Sequence, residues 1–269
     1  MGWIRGFPIG TALLAIAILA TYWSLSASTP YITDSSLGDL ALKGGNPFSA
    51  ITHLFVHVGV FHLIGNLIPL ILFGIVLESV VLSADVVLIF LMAGVGASVL
   101  FSLVNPLTPL IGASGGISGM LTAVMLIRPK AALALLIGTP LLISFVVFPA
   151  VDLGGKFYED KLDEKKYELS KELAVAVTEN RTPQAVAQIN SSLERTQTQI
   201  SITQEGKKRE AQTPSDFLVH IYGAVIGGFY VYFFKRKELK AAEEEFVGIG
   251  AWIFEKADAL SARLRGKKR

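Results

Sequence analysis

The sequence contains no cysteine, and charged residues make up only 17% of its 269 positions. Without cysteine the chain can form no disulfide, offer no thiolate nucleophile and build no cysteine metal site. The formal net charge is only +2, and no basic cluster is interleaved with aromatic residues, so we expect no nucleic-acid partner. In contrast, 52% of the residues are hydrophobic and the mean hydropathy is +0.53, which is typical of a polytopic membrane protein.

Six apolar runs, each near the ~20 residues that a helix needs to cross a bilayer, predict membrane-spanning segments. Their approximate ranges are 8–26, 57–77, 84–104, 113–128, 131–150 and 216–234. Backbone groups in lipid must bond within the segment, so these runs are expected to be helices. The fourth run is short and could begin below the membrane surface. The first run has an alternative interpretation as a signal peptide, with Ser26-Ala27-Ser28 as its cleavage site.

The basic residues predict an orientation. If the runs alternate in direction, Arg5, the pair Arg128 and Lys130, and the cluster at 235–240 all fall on one side. The excess of lysine and arginine marks that side as cytoplasmic. We therefore expect an integral protein of the cell membrane with both termini in the cytoplasm, and with the start of the fourth span facing outside.

The sequence divides into four parts. Residues 1–150 hold five spans, 151–215 form a polar insert on the outer side, 216–234 form the sixth span, and 235–269 form a cytoplasmic tail. The tail repeats apolar residues at helical spacing, which favours an amphipathic helix on the inner leaflet. A helix packed on the bundle is the alternative.

Within the insert, helical signals dominate. Two amphipathic stripes predict two helices. The first stripe consists of Leu162, Leu169, Leu173 and Val177, and the second consists of Val186, Ile189 and Leu193. Between them, Thr182-Pro183 is a helix-capping signal. The alternation from Gln199 to Thr203 predicts a short strand. We expect the insert to govern access or substrate choice, with a solvated loop of no role as the alternative.

Ser114 lies in Gly112-Ala113-Ser114-Gly115, at the head of the fourth span. At a helix N-terminus the first backbone N–H groups are unpaired and the dipole favours negative charge. Polar groups inside a membrane are costly and tend to be functional. A serine in this position on its own would more often be a helix cap.

Two other spans carry polar residues that could act with this serine. His62 and Asn66 are four residues apart, so they project from one helix face and could both donate to a developing oxyanion. His220 precedes glycines at 223 and 227, and glycines at 115 and 119 form a matching small face. Such faces let helices approach closely, as a hydrogen bond between a serine and a histidine requires.

These motifs together resemble the rhomboid family of intramembrane serine proteases. The stretch from His53 through His62 to Asn66 resembles the second-helix motif of that family, and Gly112-Ala113-Ser114-Gly115 matches its G-x-S-G motif. His220-Ile221-Tyr222-Gly223 followed by Gly227 matches the H-x-x-G-x-x-x-G motif of the sixth helix. The resemblance covers about 50–150 and 214–234, and leaves out the insert and the tail.

The resemblance implies an all-α membrane protein, a six-transmembrane-helix bundle with a polar outer insert between helices five and six. It implies Ser114 as nucleophile and His220 as general base, with no orienting carboxylate. His62, Asn66 and the backbone N–H of Ser114 would form the oxyanion hole. No cofactor or metal is implied. The expected partners are transmembrane protein substrates and the lipid bilayer, and the oligomeric state stays open.

The chain departs from the family pattern in three places. A second G-x-S-G occurs at Gly116–Gly119, and Ser118 stands where many members carry an aromatic that stacks on the histidine. Phe48-Ser49 replaces the usual Trp-Arg pair of the first outer loop. The third departure is the long insert, in the linker that closes over the active site in the family. Asp216 suggests a triad with His220, but we expect it to mark the water-facing mouth.

Two other functions compete with proteolysis. His53, His57 and His62 could ligate zinc, although no H-E-x-x-H motif and no nearby carboxylate support that site. A non-catalytic relative that binds or retains membrane proteins is the second alternative. Such relatives typically lose the serine or the histidine, whereas Ser114 and His220 are both present.

Overall fold

The structure is a computed structural model that describes residues 7–26, 29–42, 48–212 and 217–266. The described residues form helices and two isolated bridges, Tyr31 with Gly59 and Leu42 with Leu110, but no strand. The helices are α1 Ile9–Ser26, α2 Asp34–Leu37, α3 Ser49–Thr52, α4 Val60–Glu78, α5 Ser83–Val104, α6 Ser114–Ile127, α7 Pro129–Leu142, α8 Phe148–Thr178, α9 Pro183–Gln212, α10 Phe217–Phe234, α11 Arg236–Ala241 and α12 Glu243–Gly266. A 3₁₀ turn covers His53–Phe55 and a π turn covers Ile143–Val147.

Five helical segments are long and apolar enough to cross a membrane: α1, α4, α5, α10 and the continuous helix 129–178. The α6 helix is also apolar but has only 14 residues. At 1.5 Å per residue it is about 21 Å long, which is shorter than the ~30 Å of a hydrocarbon core. The chain is therefore an all-helical integral membrane protein with five candidate spans and a shorter apolar helix inside the bundle.

The α6 helix lies at the centre, between α5 and α10. Phe90 of α5, Met120 of α6 and Val231 of α10 are fully buried there. Gly116 has no room for a side chain, because a Cβ atom would lie 2.7 Å from the backbone oxygen of Phe90. Close approach of helix backbones at small residues is how helices pack in lipid, where no hydrophobic force drives them together.

Two carboxylates join the helices at the end of the bundle where α4 and α10 end. Glu78 accepts hydrogen bonds of 2.6 Å from both the backbone N–H and the hydroxyl of Thr11 at the start of α1. Asp85 at the start of α5 accepts from Tyr230 Oη at 2.8 Å and from Lys235 Nζ at 2.5 Å. These contacts join α1 to α4 and α5 to α10.

The helix that contains the fifth predicted span continues past residue 150. Helix continues from Pro129 through the π turn to Thr178. Pro149 does not break it, because it lies in the first turn of α8 just after the π turn, where a missing N–H is tolerated. The polar insert therefore begins as a direct extension of the fifth span.

The α8 and α9 helices form an antiparallel hairpin. Leu162, Ala176 and Ile189 are buried between the two helices, as the stripes predict in part. The expected position of Val177 in the first stripe is wrong, since Val177 is 59% exposed. The predicted cap is confirmed, because Thr182 Oγ1 accepts the N–H of Ala185 at 3.3 Å.

The predicted strand at Gln199–Thr203 is also wrong, because these residues lie inside α9. The buried face of α9 includes Thr196 and Thr203, which are 1% and 3% exposed. Each hydroxyl donates to the carbonyl four residues earlier, at 2.9 Å from Thr196 and 2.7 Å from Thr203. Threonines that satisfy their own hydroxyls can fill a helical face, and they hide its period from a count of apolar residues.

The tail is helical, as its periodicity predicts. Its long helix α12 starts beside α7, where the backbone N–H of Lys130 donates to Glu245 at 3.4 Å. Trp252 and Phe254 are 54% and 75% exposed. The beginning of α12 thus packs on the bundle, while its exposed aromatic residues leave the predicted contact with the inner leaflet as an expectation.

Candidate active site

Ser114 is the first residue of α6, and it is half-buried. The chain reaches it through Gly112, whose φ of +107° lies in a region that favours glycine. The N–H of Gly112 donates to the carbonyl of His53 at 2.8 Å, which anchors the turn. Ser114 therefore stands at the positive end of a helix dipole, where its own N–H has no partner within the helix.

The α6 and α10 helices touch through their glycines. A Cβ atom on Gly119 would lie 3.1 Å from the carbonyl oxygen of Gly223, and one on Gly227 would overlap Gly119. A Cβ atom on Gly115 would lie 3.0 Å from Val219 Cγ1. The residue after Ser114 thus packs against the residue before His220, so the two predicted catalytic residues lie at the same level of adjoining helices.

His62 lies in the first turn of α4, with its ring against the turn that leads to Ser114. A Cβ atom on Gly112 would lie 2.7 Å from His62 Nε2, so glycine is required there for space as well as for conformation. The Nδ1 atom of His62 is buried and has no hydrogen-bond partner among the described residues. A neutral imidazole carries one N–H. The tautomer with its proton on Nε2 would aim a donor towards the start of α6.

Asn66 lies one turn further along α4 and is only 7% exposed. Its Nδ2 atom donates to the carbonyl of His62 at 2.8 Å, which fixes the side chain along the helix. An amide NH₂ group has two hydrogens, so one remains for a ligand. The His62 and Asn66 pair is therefore held on one helix face, as the spacing predicts.

Ser118 is the alternative serine, and its hydroxyl is engaged within α6. Its Oγ donates to the carbonyl of Ser114 at 2.9 Å. This back-bonding along the helix is the usual state of a serine inside a helix. Because the Ser118 hydroxyl is engaged within its own helix, this geometry does not favour Ser118 as a nucleophile.

His53 has a supporting position. Its Nδ1 donates to the carbonyl of Ser49 at 2.7 Å, and its Nε2 lies 2.6 Å from the Ser98 hydroxyl on α5. Its carbonyl receives the N–H of Gly112. Burial lowers the pKa of His53 to about 4, so the imidazole is neutral at pH 7. His53 thus stabilises the turn before Ser114 through its carbonyl and its two ring contacts.

The alternative zinc site receives no support from this arrangement. Both ring nitrogens of His53 already have partners, and the rings of His57 and His62 contact each other at a tilt of 59°, with centroids 4.9 Å apart. In the described part of the chain, no three histidine, aspartate or glutamate side chains are grouped to hold a metal ion. Asp216, the possible third member of a triad, lies outside the described residues.

The comparisons with known proteins agree with these motifs. The family model for the Rhomboid domain matches residues 45–169. Rhomboid-related protein 2 of Mus musculus is 31% identical over 123 residues, which are 42% of this chain and 41% of that protein. These matches support placing the chain in the rhomboid family. None of the solved structures matches it significantly.

Two plant proteins give shorter matches to this chain. RHOMBOID-like protein 6, mitochondrial, of Arabidopsis thaliana is 33% identical over 84 residues, covering 31% of the chain and 27% of that protein. RHOMBOID-like protein 1 of the same plant is 38% identical over 74 residues, covering 28% and 19%. The chain spans less than half the length of the curated relatives it matches.

The family match ends before one predicted catalytic residue of this chain. His62, Asn66 and Ser114 lie inside residues 45–169, whereas His220 lies beyond them. The assignment of His220 therefore depends on its motif and on the glycine contact between α6 and α10.

Sequence reasoning missed Glu210 of α9, whose carboxylate accepts the N–H of His62 at 2.6 Å. No motif or spacing signals a contact between residues 148 positions apart.

Proposed function

We propose that this rhomboid is an intramembrane serine endopeptidase that cleaves transmembrane segments of other proteins. The observation that carries the proposal is the contact of Gly115 with Val219, which aligns Ser114 with His220 across two helices. The reaction requires a hydrogen bond between the Ser114 hydroxyl and a ring nitrogen of His220, and this packing brings the two residues to the same level. The packing of His62 on Gly112 adds a donor beside the same helix start.

The reaction follows from these positions. Ser114 Oγ attacks the carbonyl carbon of the substrate peptide bond while His220 takes the hydroxyl proton. The oxyanion of the tetrahedral intermediate is held by His62, Asn66 and the N–H of Ser114. As the C–N bond breaks, His220 returns the proton to the leaving amine. Water then attacks the acyl ester with His220 as base, which releases the acid product and restores Ser114.

The substrate must unwind at the cleavage site. A helical backbone is internally hydrogen-bonded, and its carbonyl carbons are closed to attack. Substrates with helix-weakening residues near the cut and small side chains at it fit this requirement. We also propose that the enzyme resides in the cell membrane with both termini in the cytoplasm, so that cleavage occurs near the outer end of the substrate segment.

The test is cleavage of a generic transmembrane substrate by purified protein reconstituted in lipid. We expect the wild-type protein to cleave and Ser114→Ala to be inactive while remaining folded. Ser118→Ala is the matched control, since it removes a serine hydroxyl from the same helix, and it should retain substantial activity. An inactive Ser118→Ala with an active Ser114→Ala would show that the nucleophile is misassigned. A wild-type protein that binds substrates without cleaving them would favour the non-catalytic alternative.

A further inference from the structure

The last turns of α9 return to the bundle at the end where α4 begins. Gly206 packs on Tyr31 so closely that a Cβ atom would overlap the tyrosine. Arg209 Nη1 donates to the carbonyl of Ile32 at 3.4 Å, and the N–H of Ile32 donates to Val58 at 3.0 Å. The base of the insert is therefore docked on the segment after α1, which is hydrogen-bonded to the loop that leads into α4.

Glu210 completes this contact at the first turn of α4. Its carboxylate accepts the backbone N–H of His62 at 2.6 Å and also that of Phe61. The N-cap residue of α4 is Gly59, which has no side chain to fill this role. A Cβ atom on Gly59 would lie 2.6 Å from the carboxyl carbon of Glu210. Glycine thus leaves the space that the incoming carboxylate occupies.

The contact is formed by a group that is largely removed from water. Burial raises the pKa of Glu210, and the two backbone N–H groups act in the opposite direction. A carboxylate at a helix N-terminus accepts orphan N–H donors and interacts favourably with the helix dipole. Here the cap comes from a helix that is distant in sequence, so α4 and the insert are joined at one point.

The position of this cap links it to the proposed oxyanion donor His62. His62 is both the residue whose N–H binds Glu210 and the residue whose ring packs on Gly112. A change in the first turn of α4 would therefore move the imidazole relative to Ser114. Misplacement of a catalytic donor by about 1 Å can cost roughly 10²-fold in rate.

We propose that Glu210 is a positioning residue, which caps α4 from the insert and thereby holds His62 in place as an oxyanion donor. Docking of the insert would then be required for full turnover rather than for substrate binding alone. This inference rests on the proposed function, because it assigns Glu210 a role in the same reaction.

The experiment compares four forms of the full-length protein: wild type, Glu210→Ala, Glu210→Gln and Glu205→Ala. Glu205 is the matched control, an exposed glutamate on the same helix. We expect Glu210→Ala to lower kcat roughly 10- to 100-fold with little change in KM. Glu210→Gln retains an acceptor oxygen and should fall between that variant and the wild type, and Glu205→Ala should match the wild type.

A double-mutant comparison separates positioning from general damage. If Glu210 acts through His62, then Glu210→Ala should cause no further loss of kcat in a His62→Ala background. An equal loss in both backgrounds would overturn the proposal. So would an unchanged kcat in Glu210→Ala when the wild-type protein cleaves.

Hydrogen exchange gives a readout that does not need catalysis. Amides 59–66 should lose protection in Glu210→Ala, while those of α5 and α10 should keep it and so report an intact fold. Unchanged protection at 59–66 would contradict the contact itself. A wild-type protein that cleaves nothing would instead show failure of the proposed function, whichever way the exchange result falls.

Discussion

Glu78 and Asp85 join the apolar helices to one another at the end of the bundle away from Ser114, whereas buried imidazoles and the glycine contact between α6 and α10 mark the end near it. At the far end Glu78 binds the start of α1. Asp85 binds Tyr230, which lies in the last span, and Lys235, which directly follows that span. At the near end the α6 and α10 backbones meet at glycines, and His62 packs on Gly112.

The two ends also differ in how completely their polar groups are satisfied. Near Ser114, Nε2 of His57 and Nδ1 of His62 are buried without a hydrogen-bond partner among the described residues. Burial without a partner is costly, and such atoms in a folded protein call for an explanation. The comparison indicates that one end supplies stability and the other supplies a polar site kept ready for a ligand. The following predictions test that division.

The largest effect should come from the proposed base. We expect His220→Ala to be as inactive as Ser114→Ala, and the double mutant to be no worse, because the two residues act as one unit. The measurement is kcat/KM for a transmembrane substrate. Substantial turnover by either single mutant would contradict a dyad at the near end.

The oxyanion donors should give the next largest effect. His62→Ala and Asn66→Ala should each lower kcat by roughly 10²–10³, with less effect on KM, because the donors act mainly on the transition state. Steady-state kinetics at saturating substrate measure this. If both variants change KM alone, the two residues are substrate contacts or packing residues.

A variant at the far end should change stability and leave the chemistry intact. Asp85→Asn removes a charge that accepts from Tyr230 and Lys235, and hydrogen bonds to charged groups contribute about 1.5–3 kcal/mol. We expect a lower free energy of unfolding, with kcat unchanged at low temperature. The exposed Asp163→Asn serves as control. A loss of kcat in the fully folded Asp85→Asn protein would mean that the two ends are not separate.

The smallest effect should come from the helix beside the site. Pro140 lies inside α7, a Cβ atom on Gly138 would meet no atom of the described residues within 4 Å, and the π turn follows at Ile143. Proline removes a helix hydrogen bond and glycine adds freedom. We expect Pro140→Ala to alter turnover by a few-fold without changing the reactivity of Ser114 towards a small probe. Identical kinetics across several substrates would contradict this.

The sequence predicts the parts of the fold that depend on short-range pattern. Apolar runs locate α1, α4, α5, α6 and α10 within a few residues, and Thr182-Pro183 marks the start of α9. The grouping of Ser114 with His220 follows from two glycine faces of matching period. In each case the predictive pattern lies within a single helix, either as an apolar run, as a cap or as residues spaced one helical turn apart.

Other features depend on contacts that the pattern does not encode. The strand at Gln199–Thr203 was mispredicted because buried threonines replace apolar residues on the inner face of α9. The fifth helix continues past residue 150 into the polar insert, because the π turn accommodates Pro149. The cap on α4 joins Glu210 to His62 across 148 positions of the sequence, and only the folded hairpin brings the two together.

The most direct test of the central claim is labelling by a small fluorophosphonate probe, followed by mass spectrometry of the modified residue. Such a probe reacts with a serine that a neighbouring base has activated, and it needs no knowledge of the natural substrate. We predict modification of Ser114 in the wild-type protein, its loss in His220→Ala, and its retention in Ser118→Ala. Absence of labelling in folded wild-type protein, or labelling at Ser118, would contradict the account.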